Sequence, residues 1–272
     1  MAEPETRTLV TGASSGIGAA YARALCRRGE RLVLVARRRD RLAGLARELG
    51  GEDQAIPWPL DLAEPGAPKA LFDGFAQRGV AIGGLVNNAG LGHTAAFVDQ
   101  PVERVRAMID LNVRALVETT HLALPAMRAQ GRGRIVNVAS TAAFQPVPFL
   151  AVYAASKAFV LSFTEGLAEE LRGSGVVVQA LCPGVTATEF LDVARTEQGM
   201  LVRRVPAMTA EAVVAASLEA LERGAVRVVA GWPNRVLAFA VQRLAPRGLA
   251  RRVAAALYRP PPAGPRRDGL LI

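Results

Sequence analysis

The sequence predicts an α/β protein in which one doubly wound parallel sheet of seven strands carries helices on both faces. Short apolar runs alternate with amphipathic stretches from the start of the chain to about residue 230. The apolar runs are rich in Val, Ile and Leu without a clean period of two, as strands covered on both faces require. A glycine-rich turn joins the first run to the first amphipathic stretch. Parallel strands need crossover connections, and the amphipathic stretches supply them as helices.

In order, the chain reads as strand Thr6–Val10, helix 16–28, strand Arg31–Val35, helix 38–49, strand Ala55–Leu60 and helix 66–78. Strand Gly84–Asn87, one long helix over 102–130, strand Arg134–Val138, helix 152–173 and strand Val176–Leu181 follow. Residues 188–206 break the rhythm, with Phe190, Leu191, Met200 and Leu201 among charged residues, and read as a small helical lid. Helix 209–223 and strand Val226–Ala230 complete the unit. The domain reading is a catalytic unit over 1–231, a basic amphipathic helical extension over 232–259 and a flexible Pro/Gly/Arg tail over 260–272.

The 272 residues, 51% hydrophobic, suit one large domain. No apolar run reaches the roughly 18–20 uncharged residues of a membrane span, and the polar first seven residues do not resemble a secretory signal. Cys26 and Cys182 are too few for a disulfide framework or a metal site, and read as core thiols in a reducing, cytoplasmic setting. From Trp232 onward eight arginines face the single Asp268, so that stretch holds +7 of the net +9. The basicity belongs to the tail and gives no support to nucleic-acid binding by the main unit.

Between the first strand and helix lies Thr11-Gly12-Ala13-Ser14-Ser15-Gly16-Ile17-Gly18. Glycines there let the backbone approach a pyrophosphate closely and aim free N–H groups at it. The same letters spell GxSxG, a hydrolase nucleophile elbow. That reading fails because the chain has only His93 and His121, neither in the late strand-end position such a triad requires. His93 reads as a cleft-lining residue and His121 as a helix residue without a special role. The second strand ends at Ala36, where an acid would bind ribose hydroxyls, and Arg37-Arg38-Arg39 follows. Arg37 there suits a 2'-phosphate, favouring NADP(H) over NAD(H), while Arg38 and Arg39 read as the solvated start of a helix. Asp61-Leu62 follows the third strand, Asn87-Asn88-Ala89-Gly90 closes the fourth, Ser140 follows the fifth, and Asn112 lies inside the long helix.

Lys157 is one of two lysines among 33 basic residues and stands four after Tyr153. On a helix the two share a face. A nearby ammonium lowers a tyrosine pKa and readies the phenol for proton transfer.

Together these motifs resemble the classical short-chain dehydrogenase/reductase family: TGASSGIG at 11–18, NNAG at 87–90, Asn112, Ser140, YAASK at 153–157, and Pro183-Gly184 followed by Thr188. The resemblance covers residue 6 to about 230 and implies a Rossmann-type fold and a single domain with lid and C-terminal extension. It implies Tyr153 as catalytic acid/base, Ser140 orienting the substrate oxygen, Lys157 binding the nicotinamide ribose and depressing the Tyr153 pKa, and Asn112 holding a relay water. Gly12, Ser14, Ser15, Gly16, Ile17, Gly18, Arg37, Asp61, Leu62, Asn88, Ala89, Gly90, Pro183, Gly184 and Thr188 would bind the cofactor, with no metal. Thr186 stands where an aliphatic residue is usual. Helix 152–173 commonly forms a dimer interface in this family, which implies a homodimer or homotetramer.

The expected reaction is carbonyl–alcohol interconversion. The apolar, proline-stiffened segment Thr141–Leu150 and the lid suit a lipophilic ketone, a steroid-like molecule or an acyl chain, or equally ordinary packing. The extension suits an anionic membrane surface, an acidic acyl carrier, or a helix folded back over the cleft. A non-catalytic NADP(H)-binding regulator and a protein acting through its tail stay open as alternatives.

Overall fold

All seven apolar runs become strands of one sheet. The computed structural model describes residues 5–190, 207–243 and 245–259. Its strands are β1 (Glu5–Thr11), β2 (Leu32–Ala36), β3 (Ala55–Pro59), β4 (Val80–Asn87), β5 (Gly133–Val138), β6 (Val176–Cys182) and β7 (Arg227–Val229). They pair in parallel in the order β3-β2-β1-β4-β5-β6-β7. The helices are α1 (Gly16–Arg27), α2 (Arg39–Glu48), α3 (Ala67–Gln77), α4 (Val102–Ile109), α5 (Leu116–Ala129), α6 (Ala151–Glu170), α7 (Ala210–Glu222), α8 (Trp232–Arg243) and α9 (Arg247–Tyr258).

Alternate residues along each strand enter different layers. Val10, Leu32, Leu34, Val136 and Leu181 pack with α1, α2 and α7, while Leu9, Val33, Val35, Leu85, Ile135 and Val178 pack with α3 and α5. With both faces buried, no polar alternation survives in the sequence. Strand order reverses between β1 and β4, so the loops leaving their carboxyl ends diverge and open a crevice there.

Two elements differ from the sequence reading. β4 starts at Val80 rather than Gly84, since Val80 and Ile82 pair with Glu5 and Arg7. Gly83 and Gly84 conceal this; a Cβ on Gly83 would lie 2.5 Å from Thr6 Cγ2, so glycine is what lets β1 and β4 approach. The long helix is interrupted, because a π-turn at Asp110–Ala115 separates α4 from α5. A one-turn widening changes backbone pairing without changing residue type, so periodicity does not reveal it.

The extension forms α8 and α9, and their buried residues Ala238, Ala250 and Ala254 dock them on the body. Trp232, Val236, Phe239, Leu249 and Val253 stay exposed. The lid reading falls on residues of which only 188–190 are described, and the tail reading at 260–272 falls outside the described residues. Cys182 is buried, whereas Cys26 is only half-buried, with its thiol near Leu49 O.

Candidate active site

The glycine turn is held by contacts that no side chain would permit. Gly12 (φ 66°) and Gly16 (φ 55°) lie in the left-handed region. A Cβ on Gly18 would overlap the Gly12 carbonyl oxygen and lie 2.5 Å from Asn88 Nδ2. Asn88 Nδ2 donates to Thr11 O at 3.0 Å and Gly12 O at 3.2 Å, and Thr11 Oγ1 accepts from Asn88 N and Ala89 N at 3.0 Å. The turn after β1 is therefore fastened to the turn after β4. Thr188 closes it from another side, since a Cβ on Gly16 would lie 2.9 Å from Thr188 Cγ2. The first backbone N–H groups of α1 open toward this turn.

At the end of β2 the arginines divide differently from the sequence reading. Arg37 is exposed, its Nη1 3.7 Å from an Asp61 carboxylate oxygen. Arg38 is not a bystander at a solvated helix start. Its Nη2 donates to Ser14 Oγ and Ser15 Oγ at 2.9 Å and its Nη1 to Glu189 at 2.8 Å, while Arg41 pairs with the same carboxylate. Both guanidiniums hold the Glu189 carboxyl down, at about 2. A side chain's reach back across a turn cannot be read from its place in a run of arginines.

Asp61 Oδ1 accepts from Ala63 N at 3.0 Å, and Leu62 is buried against the cleft. Asn87 is structural. Its amide donates to Thr120 and Asn137 at 2.9 Å and accepts from Thr119 at 2.8 Å, tying β4 to α5 and β5.

The reacting end lies over β5 and β6. Ser140 caps the short turn Thr141–Phe144, its Oγ accepting from Ala142 N at 3.1 Å. Phe149 adopts φ 68°, unusual for a bulky side chain, just before α6 begins. One turn into α6, Tyr153 faces the cleft, with its ring centroid 5.4 Å from that of Phe190. Lys157 is 4% exposed, donates from Nζ to Val138 O at 2.7 Å, and sits 5.8 Å from the centre of the Tyr153 ring.

The expected depression of the Tyr153 pKa is not found in the free cleft. Burial dominates and lifts the phenol to about 12, against a downward pull from the Ser140 hydrogen bond, and Tyr258 adds to the rise. Burial also lowers the Lys157 ammonium to about 8. Both groups are pushed toward their neutral forms.

Asn112 is fully buried within the π-turn. Its amide accepts from Leu91 N at 2.8 Å and donates to Leu91 O at 2.9 Å and Ser156 Oγ at 3.0 Å. Three of the four hydrogen-bonding positions of the side chain thus position the Leu91 loop and α6.

A cleft of about 300 Å³ runs from Gly12, Ser14 and Gly16 past Asn88, Ala89 and Gly90 to Ser140, Tyr153, Lys157, Pro183 and Gly184. Ile17, Arg37, Asp61, Leu62 and Thr188 also line it. Three expected site residues do not. Gly18 packs on Gly12, Ser15 Oγ is taken by Arg38, and Asn112 lies behind Leu91. His93 is buried outside the lining, which corrects its cleft assignment, and His121 lies on α5 beside a separate surface depression. Thr11, Arg38, Asn234 and Tyr258 are among the lining or supporting residues that the sequence reading does not assign to the site. Asn234 of α8 fills the space a Cβ on Gly184 would need, its amide 2.6 Å away.

The side-chain-free cradle at Gly12 and Gly16 and the elongated cleft fit a dinucleotide, with its phosphates on the turn and its reacting ring beside Tyr153 and Lys157. Residues 6–199 match the short chain dehydrogenase family. The chain belongs to that family. It is 40% identical over 188 residues to sulfoacetaldehyde reductase 2 of Chromohalobacter salexigens, covering 67% of this chain and 73% of that protein. It is 34% identical to the very-long-chain 3-oxoacyl-CoA reductase of Anas platyrhynchos over 69% of this chain, which spans 62% of that reductase's length. Among solved structures, a short-chain dehydrogenase from Sphingobium yanoikuyae in complex with NADPH superposes with a TM-score of 0.74 and 38% identity, covering 83% of this chain and 87% of that one. A 7beta-hydroxysteroid dehydrogenase superposes at 0.80 with 30% identity, over 93% and 98%. This short-chain dehydrogenase is an NAD(P)-dependent oxidoreductase. Among its described residues no helix is long and apolar enough to cross a membrane.

Proposed function

We propose that the chain is an NADP(H)-dependent reductase of a lipophilic ketone or acyl substrate, with Tyr153 as the proton donor. The observation that carries this reading is the half-buried Tyr153, hydrogen-bonded by Ser140 and backed by the buried Lys157, at the apolar end of the dinucleotide-sized cleft. A bound nicotinamide cofactor supplies the hydride. Ser140 and Tyr153 both donate to the carbonyl oxygen, orienting it and withdrawing charge from the carbon that accepts the hydride. Tyr153 is protonated at neutral pH, since its phenol is held at about 12, and so starts in the form that reduction needs. Lys157 fixes a cationic charge behind the ring and presents N–H donors to a ribose hydroxyl. Because both N–H donors and one lone pair of the Asn112 amide are already engaged, a water relay would rest chiefly on the backbone of the π-turn.

Ala36 in place of an acid, with Arg37 and Arg38 at the cleft mouth, supports NADP(H). The apolar walls Ala142, Leu150 and Phe190 support a lipophilic substrate. Exposed Val102 and Ile109 on α4 and Phe159 on α6 favour a face for a second copy. The exposed apolar residues of α8 and α9, set among arginines, favour peripheral contact with an anionic membrane; liposome co-sedimentation equal to that of a neutral-lipid control would end that reading.

The test of the main reading is Tyr153→Phe. Turnover should fall about 10²–10⁴-fold, the usual contribution of a positioned acid, while NADPH binding followed by fluorescence persists. A variant retaining its rate would overturn the assignment. Arg38→Ala should raise the Kd for NADPH and leave that for NADH unchanged.

A further inference from the structure

α9 reaches the reacting end of the cleft. Ala250, Ala254 and Tyr258 recur every four residues and so share one face of the helix. The two alanines are buried and bring the helix close to the body, and Tyr258 lines the cleft. Its ring packs with Val147, Leu150 and Ala154, in the same cluster as Tyr153 and Ala142.

The phenol of Tyr258 is unusual. A tyrosine in such a setting normally finds a hydrogen-bond partner. Among the described residues this hydroxyl has none, and it does not belong to the polar atoms sealed from solvent. It is therefore an unpaired donor on a cleft-lining side chain, near enough to Tyr153 to act on its phenol. A carbonyl oxygen has two lone pairs, and in the proposed reaction Ser140 and Tyr153 occupy both. A third donor must address a different atom.

We propose that Tyr258 is a substrate-positioning residue whose hydroxyl donates to a second oxygen of the substrate, so that the site favours carbonyl compounds with another acceptor beside the reacting carbonyl. This rests on the reductase reading above. The ring supplies an apolar wall, and the hydroxyl supplies orientation. A plain ketone gains from the wall alone, whereas a β-dicarbonyl compound gains from both.

The test uses the full chain with a 3-oxo ester and a methyl ketone of equal chain length. Tyr258→Phe, which keeps the ring, should lower kcat/KM about tenfold for the ester, the scale of one lost hydrogen bond, and leave the ketone within about twofold. Tyr258→Ala should lower both. Equal behaviour of Tyr258→Phe and wild type on the ester, or equal losses on both substrates, overturns the proposal. Calorimetric binding of the matching 3-hydroxy ester reads the same contact without turnover, and Tyr258→Phe should weaken it about tenfold. Unchanged affinity overturns the proposal even in an inactive chain. Weakened binding beside a wild-type chain that oxidises no NADPH with either substrate upholds Tyr258 and sinks only the reductase reading.

Discussion

Lys157 makes the stability of this fold depend on pH in a way that can be isolated. Its ammonium is 4% exposed and has a carbonyl oxygen, Val138 O at 2.7 Å, as its hydrogen-bond acceptor; burial lowers its pKa from the ordinary 10.5 to about 8. Between those two values the unfolded chain binds a proton at this site that the folded chain does not. Stability must then rise with pH, by about 1.4 kcal/mol per unit. Below pH 8 both states are protonated and the contribution is flat. From pH 8 to 10 it grows to about 3 kcal/mol. Lys157→Met removes this titration while filling much the same volume, and the opposing contributions of Tyr153 and Cys182, both lifted by burial to about 12, are common to the two proteins and cancel in the difference. Urea unfolding of wild type and Lys157→Met at half-unit steps from pH 7 to 10 gives that difference directly. The wild type should gain on the variant steadily above pH 8. Parallel stability curves across the range would refute the argument, because a lysine with an ordinary pKa gives no such slope below pH 10.

Other consequences are narrower. Gly18→Ala forces a methyl against Gly12 O and Asn88 Nδ2, and should cost about 1–3 kcal/mol in denaturant unfolding together with at least a tenfold rise in cofactor Kd. Tyr21→Phe breaks a buried chain in which Tyr21 donates to Ser217 and Ser217 to Gln179, each at 2.5 Å; it should cost about 1 kcal/mol of stability and leave kcat unchanged. Glu189→Gln releases Arg38 and Arg41 from a half-exposed carboxylate. It should cost under about 1 kcal/mol at pH 7, a loss that disappears as pH falls from the ordinary carboxylate range toward about 2, and titration should show tighter NADPH binding. The reductive kcat/KM should hold from pH 6 to about 8 and decline above as Lys157 loses its proton, whereas a profile flat to pH 10 would detach Lys157 charge from the reaction.

The strands were legible because burial on both faces leaves an unmistakable apolar run, and six of the seven begin and end within two residues of their reading. β4 was clipped because two glycines stand where apolar side chains would mark it. The π-turn was invisible because Asp110–Ala115 reads as ordinary amphipathic helix. Within the site, residues that act through type and spacing at strand ends were readable, namely the glycines, Ser140, Tyr153 and Lys157. Those that act by reach were not. Arg38 folds back over two turns to Ser14, and Tyr258 arrives more than a hundred residues after Tyr153 on a helix whose inner face is alanine and gives no hydrophobic signal.

The two kinds of residue make different bargains with the fold. Around the cofactor end, Asn88 against Gly12, Thr188 against Gly16 and Asn234 against Gly184 each press a side chain from later in the chain into space that only glycine leaves free. Binding geometry and stability there are one property, so a substitution disturbs both. Tyr258 instead stands on a helix whose anchors are Ala250 and Ala254, one and two turns away, and its hydroxyl contributes no hydrogen bond to the described fold. Removing that oxygen should leave unfolding unchanged while altering which carbonyl compounds are accepted. Substrate choice in this chain is thereby separated from the contacts that hold the cofactor cleft together.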